Sequence, residues 1–218
     1  MKKVKLFNVS LCLLLTNPIA NLFTTQQDDM GILELHVIET EYHSFGHVYL
    51  RYNNLTTNYQ YLGFEKVDIY SNITIGRWNN GSSGSSSSSG SDGPDFEGVY
   101  YNREQYIYPR IKESKNDIYI TTIIDDAEEF NLLSNKIIEL NDDYKPFSRN
   151  CGHFAYDVWN VVAEENEKLD LSFVFPSKLK TYLLNHEYLA TNIENFSDYV
   201  AIEYSYYENG VRKTSQII

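Results

Sequence analysis

The sequence is poor in cysteine, with 2 in 218 residues, so a disulfide-stapled scaffold is excluded. It is also poor in basic side chains. Lys and Arg total 18 against 30 Asp and Glu, for a formal charge of −12. That balance excludes a basic nucleic-acid surface and gives no pull toward anionic lipid. No Cys-x-x-Cys or His-Glu-x-x-His spacing is present, which leaves no metal signature, and no Gly-x-Ser-x-Gly supports a serine nucleophile. The glycines among Ser82–Ser91 are followed by no lysine and open no helix, so they are not a phosphate loop. No cofactor motif is found, and nothing in the sequence fixes an oligomeric state.

Long apolar runs are also missing. The longest, Leu6 to Leu15, is too short to span a bilayer and is soon followed by Pro18. Lys2, Lys3 and Lys5 precede it, as in a secretory signal, and residues 1–25 are predicted to be one. Without those three lysines the charge becomes −15. The expected location is secreted or extracytoplasmic, in a periplasm or cell envelope. Cleavage would remove Cys12 and leave Cys151 alone. A single thiol in an oxidising compartment is a liability unless buried or used.

Tyrosine is plentiful, 19 against 2 Trp, and with Ile, Val and Thr it favours strands. The alternation in Gly31–Thr40 predicts a strand covered on both faces. A loop over Glu41–Gly46 leads to a second strand, His47–Tyr52, and Tyr59–Phe64 reads as a third, giving an antiparallel meander. Composition changes from about Glu65 to Asp95. Within it, a stretch at about 80–95 is nearly all Gly, Ser, Asn and Asp and is read as a flexible insert, because neither flank has a complete core of its own. The rest, residues 30–218, is predicted to be one domain.

Gly98–Tyr101 is a short strand candidate, and Asp117–Ile124 a firm one with Ile118, Ile120, Thr122 and Ile124 on one face. Asp125-Asp126-Ala127-Glu128 opens a helix with Phe130, Leu133, Ile137 and Leu140 on its stripe. Phe154, Val158, Val161 and Val162, with Ala155 and Trp159, predict another helix right after Cys151, with Asn150 as N-cap. Pro176 starts a helix to Asn185, and Glu208-Asn209-Gly210 turns a C-terminal hairpin. The fold class is therefore α+β, an antiparallel sheet packed against helices.

Cys151 thus falls at the first turn of a buried helix, where backbone N–H groups and the helix dipole favour a thiolate. The ordinary fate of a free cysteine is a small buried hydrophobe. A nucleophile needs a base. Of five histidines, His186 reads as a surface residue at a helix end and His36 as packed inside a strand. His153 is two positions from Cys151 on the same helix, where the side chains diverge. His47 and His43 remain. His47, at a strand start, is the better platform, and His43 in the loop would border the substrate.

In order, these residues are Gly-His-Val-Tyr-Leu on a strand, Tyr-x-Tyr-x-Gly-Phe, an Ile/Thr-rich strand, an acidic-started helix, then Asn150-Cys151-Gly152-His153-Phe154. The arrangement resembles the circularly permuted NlpC-like branch of the papain-type cysteine hydrolases. That branch includes peptidoglycan amidases, toxin effectors and lecithin:retinol acyltransferase-like enzymes. The resemblance implies a papain-like fold with the histidine strand first and the cysteine helix later, and implicates His47 and Cys151 as catalytic. Asn150, His153 and His43 would line the substrate site. The acyltransferase group usually carries a second histidine on the next strand. Here that strand has none, so Gln60 or Tyr61 is left to orient His47. The implied activity is a peptidase or amidase on peptide or cell-wall amides. Acyl transfer or thioester hydrolysis on lipid, and a non-catalytic binding module, are the alternatives.

Overall fold

The computed structural model describes residues 29–39, 46–78, 97–110, 116–141, 145, 148–172, 174–185 and 200–215. The signal-like segment 1–25, the insert at 80–95, His43 and His186 lie outside the described residues. The fold is α+β. Seven strands form one antiparallel sheet in the order β7-β1-β2-β5-β6-β8-β9. They are β1 (Gly31–Glu39), β2 (His47–Asn54), β5 (Asn72–Trp78), β6 (Gly98–Tyr101), β7 (Asn116–Ile124), β8 (Tyr204–Glu208) and β9 (Val211–Ser215). Strands from both sides of the Gly/Ser-rich stretch therefore join one sheet.

Residue alternation assigns each face of this sheet. Pairing of Leu35 with Leu50 and Ile120, and of Leu50 with Ile75, places Leu33, Leu35, Val37, Val48, Leu50, Ile73, Ile75, Ile118, Ile120 and Ile124 on one side. Three helices cover that side: α2 (Ala127–Glu139), α3 (Cys151–Val162) and α4 (Pro176–Asn185). Phe130, Leu133, Ile137, Phe154, Ala155, Val158, Trp159, Leu179 and Leu183 complete this core. Val161, assigned to the apolar stripe by spacing, faces outward instead, because Val158 and Val162 already hold the contact side.

The opposite side of the sheet is aromatic and charged. It carries Glu34 and His36 of β1, His47 and Tyr49 of β2, Gly76 and Trp78 of β5, Tyr100 of β6, and Asp117 of β7. A five-residue helix, α1 (Arg103–Ile107), and the single turn Tyr108–Arg110 cover it. Tyr106 and Tyr108 pack there with Ile38, Tyr49, Trp78, Tyr100 and Tyr204. His36 is packed, as its strand position implies, but between charges. Its Nδ1 lies 3.0 Å from Asp117 Oδ2 and its Nε2 2.9 Å from Glu34 Oε2.

Two parts of the sheet differ from the meander expected. β2 is followed in space not by Tyr59–Phe64 but by β5, a central strand inside the stretch whose composition masked it. Gln60–Leu62 (β3) instead pairs with Glu65–Val67 (β4) as a separate two-stranded hairpin lying near α2. The helix α1 and the turn after it carried no sequence signal, whereas the other predicted elements agree with theirs. Asp126 caps α2 by accepting from the Glu128 and Glu129 N–H groups, Pro176 opens α4, and Asn209-Gly210, both at positive φ, turn the β8–β9 hairpin.

Candidate active site

Asn150 caps α3. Its side-chain oxygen accepts from the His153 N–H at 3.0 Å, which fixes Cys151 as the first helical residue. The next position must be small. A Cβ on Gly152 would lie 2.9 Å from the Val174 carbonyl, so glycine lets the segment before α4 press against the helix start. Arg77 of β5 holds the approach from below. It donates to the Leu140 and Arg149 carbonyls and lies 5.7 Å from the Phe154 ring. The chain on either side of Cys151 is thus tied to a central strand.

His47 opens β2. The β1–β2 ladder runs to His47, whereas the β2–β5 ladder stops at Tyr49 opposite Gly76. The two strands part there, and the Val48 N–H donates to the Cys151 sulfur. The Gly152 N–H donates to it as well, and His47 completes the set with a hydrogen bond. Cys151 is 6 % and His47 4 % exposed, so both sit under cover.

The third polar group is Glu104, on α1. His47 Nε2 donates to Glu104 Oε1 at 3.0 Å, and Trp78 Nε1 donates to the same oxygen at 2.7 Å. With Nε2 engaged, Nδ1 is the nitrogen left to face the sulfur. The Trp78 ring also packs on the imidazole, centroids 4.3 Å apart. Glu104 reaches this place because residue 76 has no side chain. A Cβ there would lie 2.0 Å from Glu104 Oε1 and 3.1 Å from His47 Nε2.

The electrostatics follow from this geometry. Burial alone would lower the His47 pKa, but the facing Cys151 thiolate and the Glu104 carboxylate outweigh it and push it up to about 9. Burial alone would raise the Cys151 thiol. His47 and the two backbone N–H groups reverse that and hold it below its ordinary value. The arrangement favours a thiolate–imidazolium pair over the neutral pair, and it sits at a helix N-terminus, a position where the dipole adds up to about 2 kcal/mol in partly buried settings.

Cys151 and His47 are therefore brought together. Gln60 and Tyr61 are not part of the group. The Gln60 amide oxygen accepts from the Tyr52 hydroxyl at 2.8 Å, near the far end of β2, and Tyr61 is 57 % exposed, edge-on to Tyr59. Their strand belongs to the side hairpin, so neither faces the imidazole. Asn150 is a buried cap. His153 turns its ring onto the Asn150 oxygen, 3.0 Å away, as its position on the helix requires. Glu104 carried no periodic signal, since a five-residue helix is too short to show one. Its only sequence trace is an acid set among Tyr100, Tyr101, Tyr106 and Tyr108.

Among the described residues no group of three His, Cys, Asp or Glu side chains is arranged to hold a metal ion, and no helix is long and apolar enough to cross a membrane. No protein-family model, curated protein or solved structure matches the chain.

Proposed function

We propose that this protein is a cysteine hydrolase, a peptidase or amidase, working through Cys151, His47 and Glu104. The observation that carries the reading is the shared imidazole, one nitrogen on a buried carboxylate and the other facing a thiol at a helix start. Cys151 attacks a carbonyl as the thiolate. The Cys151 backbone N–H, in the first turn and without an intrahelical acceptor, helps to hold the oxyanion. The imidazolium protonates the leaving amine, and the neutral imidazole then activates water against the acyl-enzyme. Glu104 keeps the ring oriented and favours its charged form. Export by the N-terminal segment would place the enzyme where peptide and cell-wall amides occur. The histidine-first, cysteine-later order supports a permuted papain-like ancestry.

The low exposure of the sulfur and imidazole favours a second reading, acyl transfer, because an acyl-enzyme shielded from water survives to meet another acceptor. Incubation with peptidoglycan and with phospholipid, followed by mass spectrometry, separates released amines from transferred acyl groups.

Alkylation by iodoacetamide near neutral pH tests the chemistry, with Cys151 followed by peptide mass spectrometry. Wild type is expected to react faster than a model thiol, and His47→Ala is expected to remove the excess. Should Cys151 react no faster than a model thiol and His47→Ala change nothing, the catalytic reading fails and a binding module remains.

A further inference from the structure

Arg103 is the residue before Glu104, and its guanidinium is packed among aromatic rings. It lies 4.4 Å from Trp78, 4.4 Å from Tyr100 and 5.4 Å from Tyr204. The guanidinium hydrogen-bonds the Tyr100 side chain, its Nε and Nη1 are buried without a hydrogen-bond partner, and among the described residues no carboxylate forms an ion pair with it. In a chain with 30 acidic residues against 18 basic ones, a largely covered cation with no carboxylate paired to it is unexpected. Aromatic faces stabilise a guanidinium, but they do not neutralise it.

Its position gives the charge a use. Arg103 and His47 pack on the same indole, at 4.4 and 4.3 Å, so cation and imidazole lie less than 9 Å apart. At that range, in a site largely closed to water, a unit charge changes the local concentration of an anion severalfold. We propose that Arg103 is a specificity residue that selects substrates carrying a carboxylate beside the bond to be cleaved, either an acidic side chain or a free α-carboxylate. The inference rests on the cysteine hydrolase reading above. Arg103 takes no part in proton transfer. Once Cys151 is acylated its negative charge is gone, and the Arg103 cation then acts on an anionic acyl group against Glu104 beside it and, farther along the same sheet face, Asp117 and Glu34 on either side of His36.

The test needs no known substrate. Iodoacetate and iodoacetamide alkylate the same sulfur and differ in charge. In wild type at low ionic strength, the rate ratio of iodoacetate to iodoacetamide at Cys151 is expected to fall as sodium chloride is added. Arg103→Gln is expected to lower the ratio about three- to tenfold, and Arg103→Lys to keep most of it. A ratio indifferent both to Arg103→Gln and to salt, with both reagents still fast, overturns the inference and leaves the hydrolase reading standing. Slow reaction of wild type with both reagents removes that reading instead, and this inference with it. If Arg103→Gln does not fold, the wild-type salt dependence decides. Protection of Cys151 from iodoacetamide by peptides identifies the source of the carboxylate. A free C-terminal acid protecting better than its amide marks the α-carboxylate. A glutamate peptide blocked at both ends marks the side chain. Protection by neither at millimolar concentration refutes the substrate class.

Discussion

Replacing Gly76 by alanine tests whether Glu104 belongs to the site. Glycine in a strand interior ordinarily costs about 0.5–1 kcal/mol relative to alanine, so the substitution should stabilise β5 if only the backbone mattered. Here the added Cβ would sit 2.0 Å from Glu104 Oε1, a distance real Cβ atoms do not adopt. An ordinary contact requires the carboxylate to retreat by more than an ångström. That retreat breaks the 3.0 Å bond from His47 and the 2.7 Å bond from Trp78, which end on the same oxygen. A hydrogen bond to a charged group contributes about 1.5–3 kcal/mol, equivalent to roughly a ten- to hundredfold change in the thiolate–imidazolium population. Gly76→Ala is therefore expected to slow iodoacetamide labelling of Cys151 near neutral pH by about that factor, with a lower melting temperature. Glu104→Ala makes room for the new methyl group. The double variant should consequently lose little beyond Glu104→Ala alone, since the remaining 3.1 Å contact with His47 Nε2 asks for a shift of only a few tenths of an ångström, a coupling read from the double-mutant cycle. A Gly76→Ala protein with wild-type labelling and a raised melting temperature would refute the placement of Glu104.

Two further outcomes follow from other parts of the fold. His36→Gln removes the cation between two buried carboxylates and is expected to cost about 3–5 kcal/mol in urea unfolding at mildly acidic pH. Burial lowers the His36 pKa, but Asp117 and Glu34 outweigh it and raise it above the unfolded value. Its stabilising effect is therefore complete below the unfolded pKa and fades as pH rises through the folded one. The gap between wild type and variant should narrow toward alkaline pH, and a gap that widens would refute the assignment. Asn150→Ala removes the α3 cap and is expected to cost about 1 kcal/mol, seen as a lower melting temperature, whereas an unchanged one would show that the cap does not bear on stability.

The legible parts of this protein are those with long periods. β1, β7, α2 and α3 each carry enough residues for alternation or helical spacing to appear, and Asn150 and Asp126 mark helix starts by their own chemistry. His47 and Cys151 stand out in the sequence because each opens a patterned element, β2 and α3. β5 was lost beside the Gly/Ser-rich stretch, although Ile73-Thr74-Ile75 is strand-like by itself. With it went Gly76, Arg77 and Trp78, three neighbours that make room for Glu104, anchor the chain before α3 and pack on the imidazole. Gln60 and Tyr61 were favoured on the assumption that the next strand in sequence is the next in space. The β3–β4 hairpin breaks that rule because Gly63, at positive φ, reverses the chain after only three residues.

The same sheet face also shows why burial and a raised pKa do not by themselves identify a catalytic base. His36 and His47 lie on that face, both are buried, and both hold a proton more tightly than a free imidazole. They differ in the second nitrogen. Both nitrogens of His36 end on carboxylate oxygens, at 2.9 and 3.0 Å, so its proton affinity is used to hold β1 to β7 and no site remains for a reacting group. His47 has one carboxylate, on Nε2, and its other side meets the sulfur. A ring fixed at one nitrogen and open to a nucleophile at the other can take up and return a proton without changing its orientation. Proximity in sequence would have paired Cys151 with His153, and burial would have admitted His36. Only the strand separation at Val48 brings the thiol to His47.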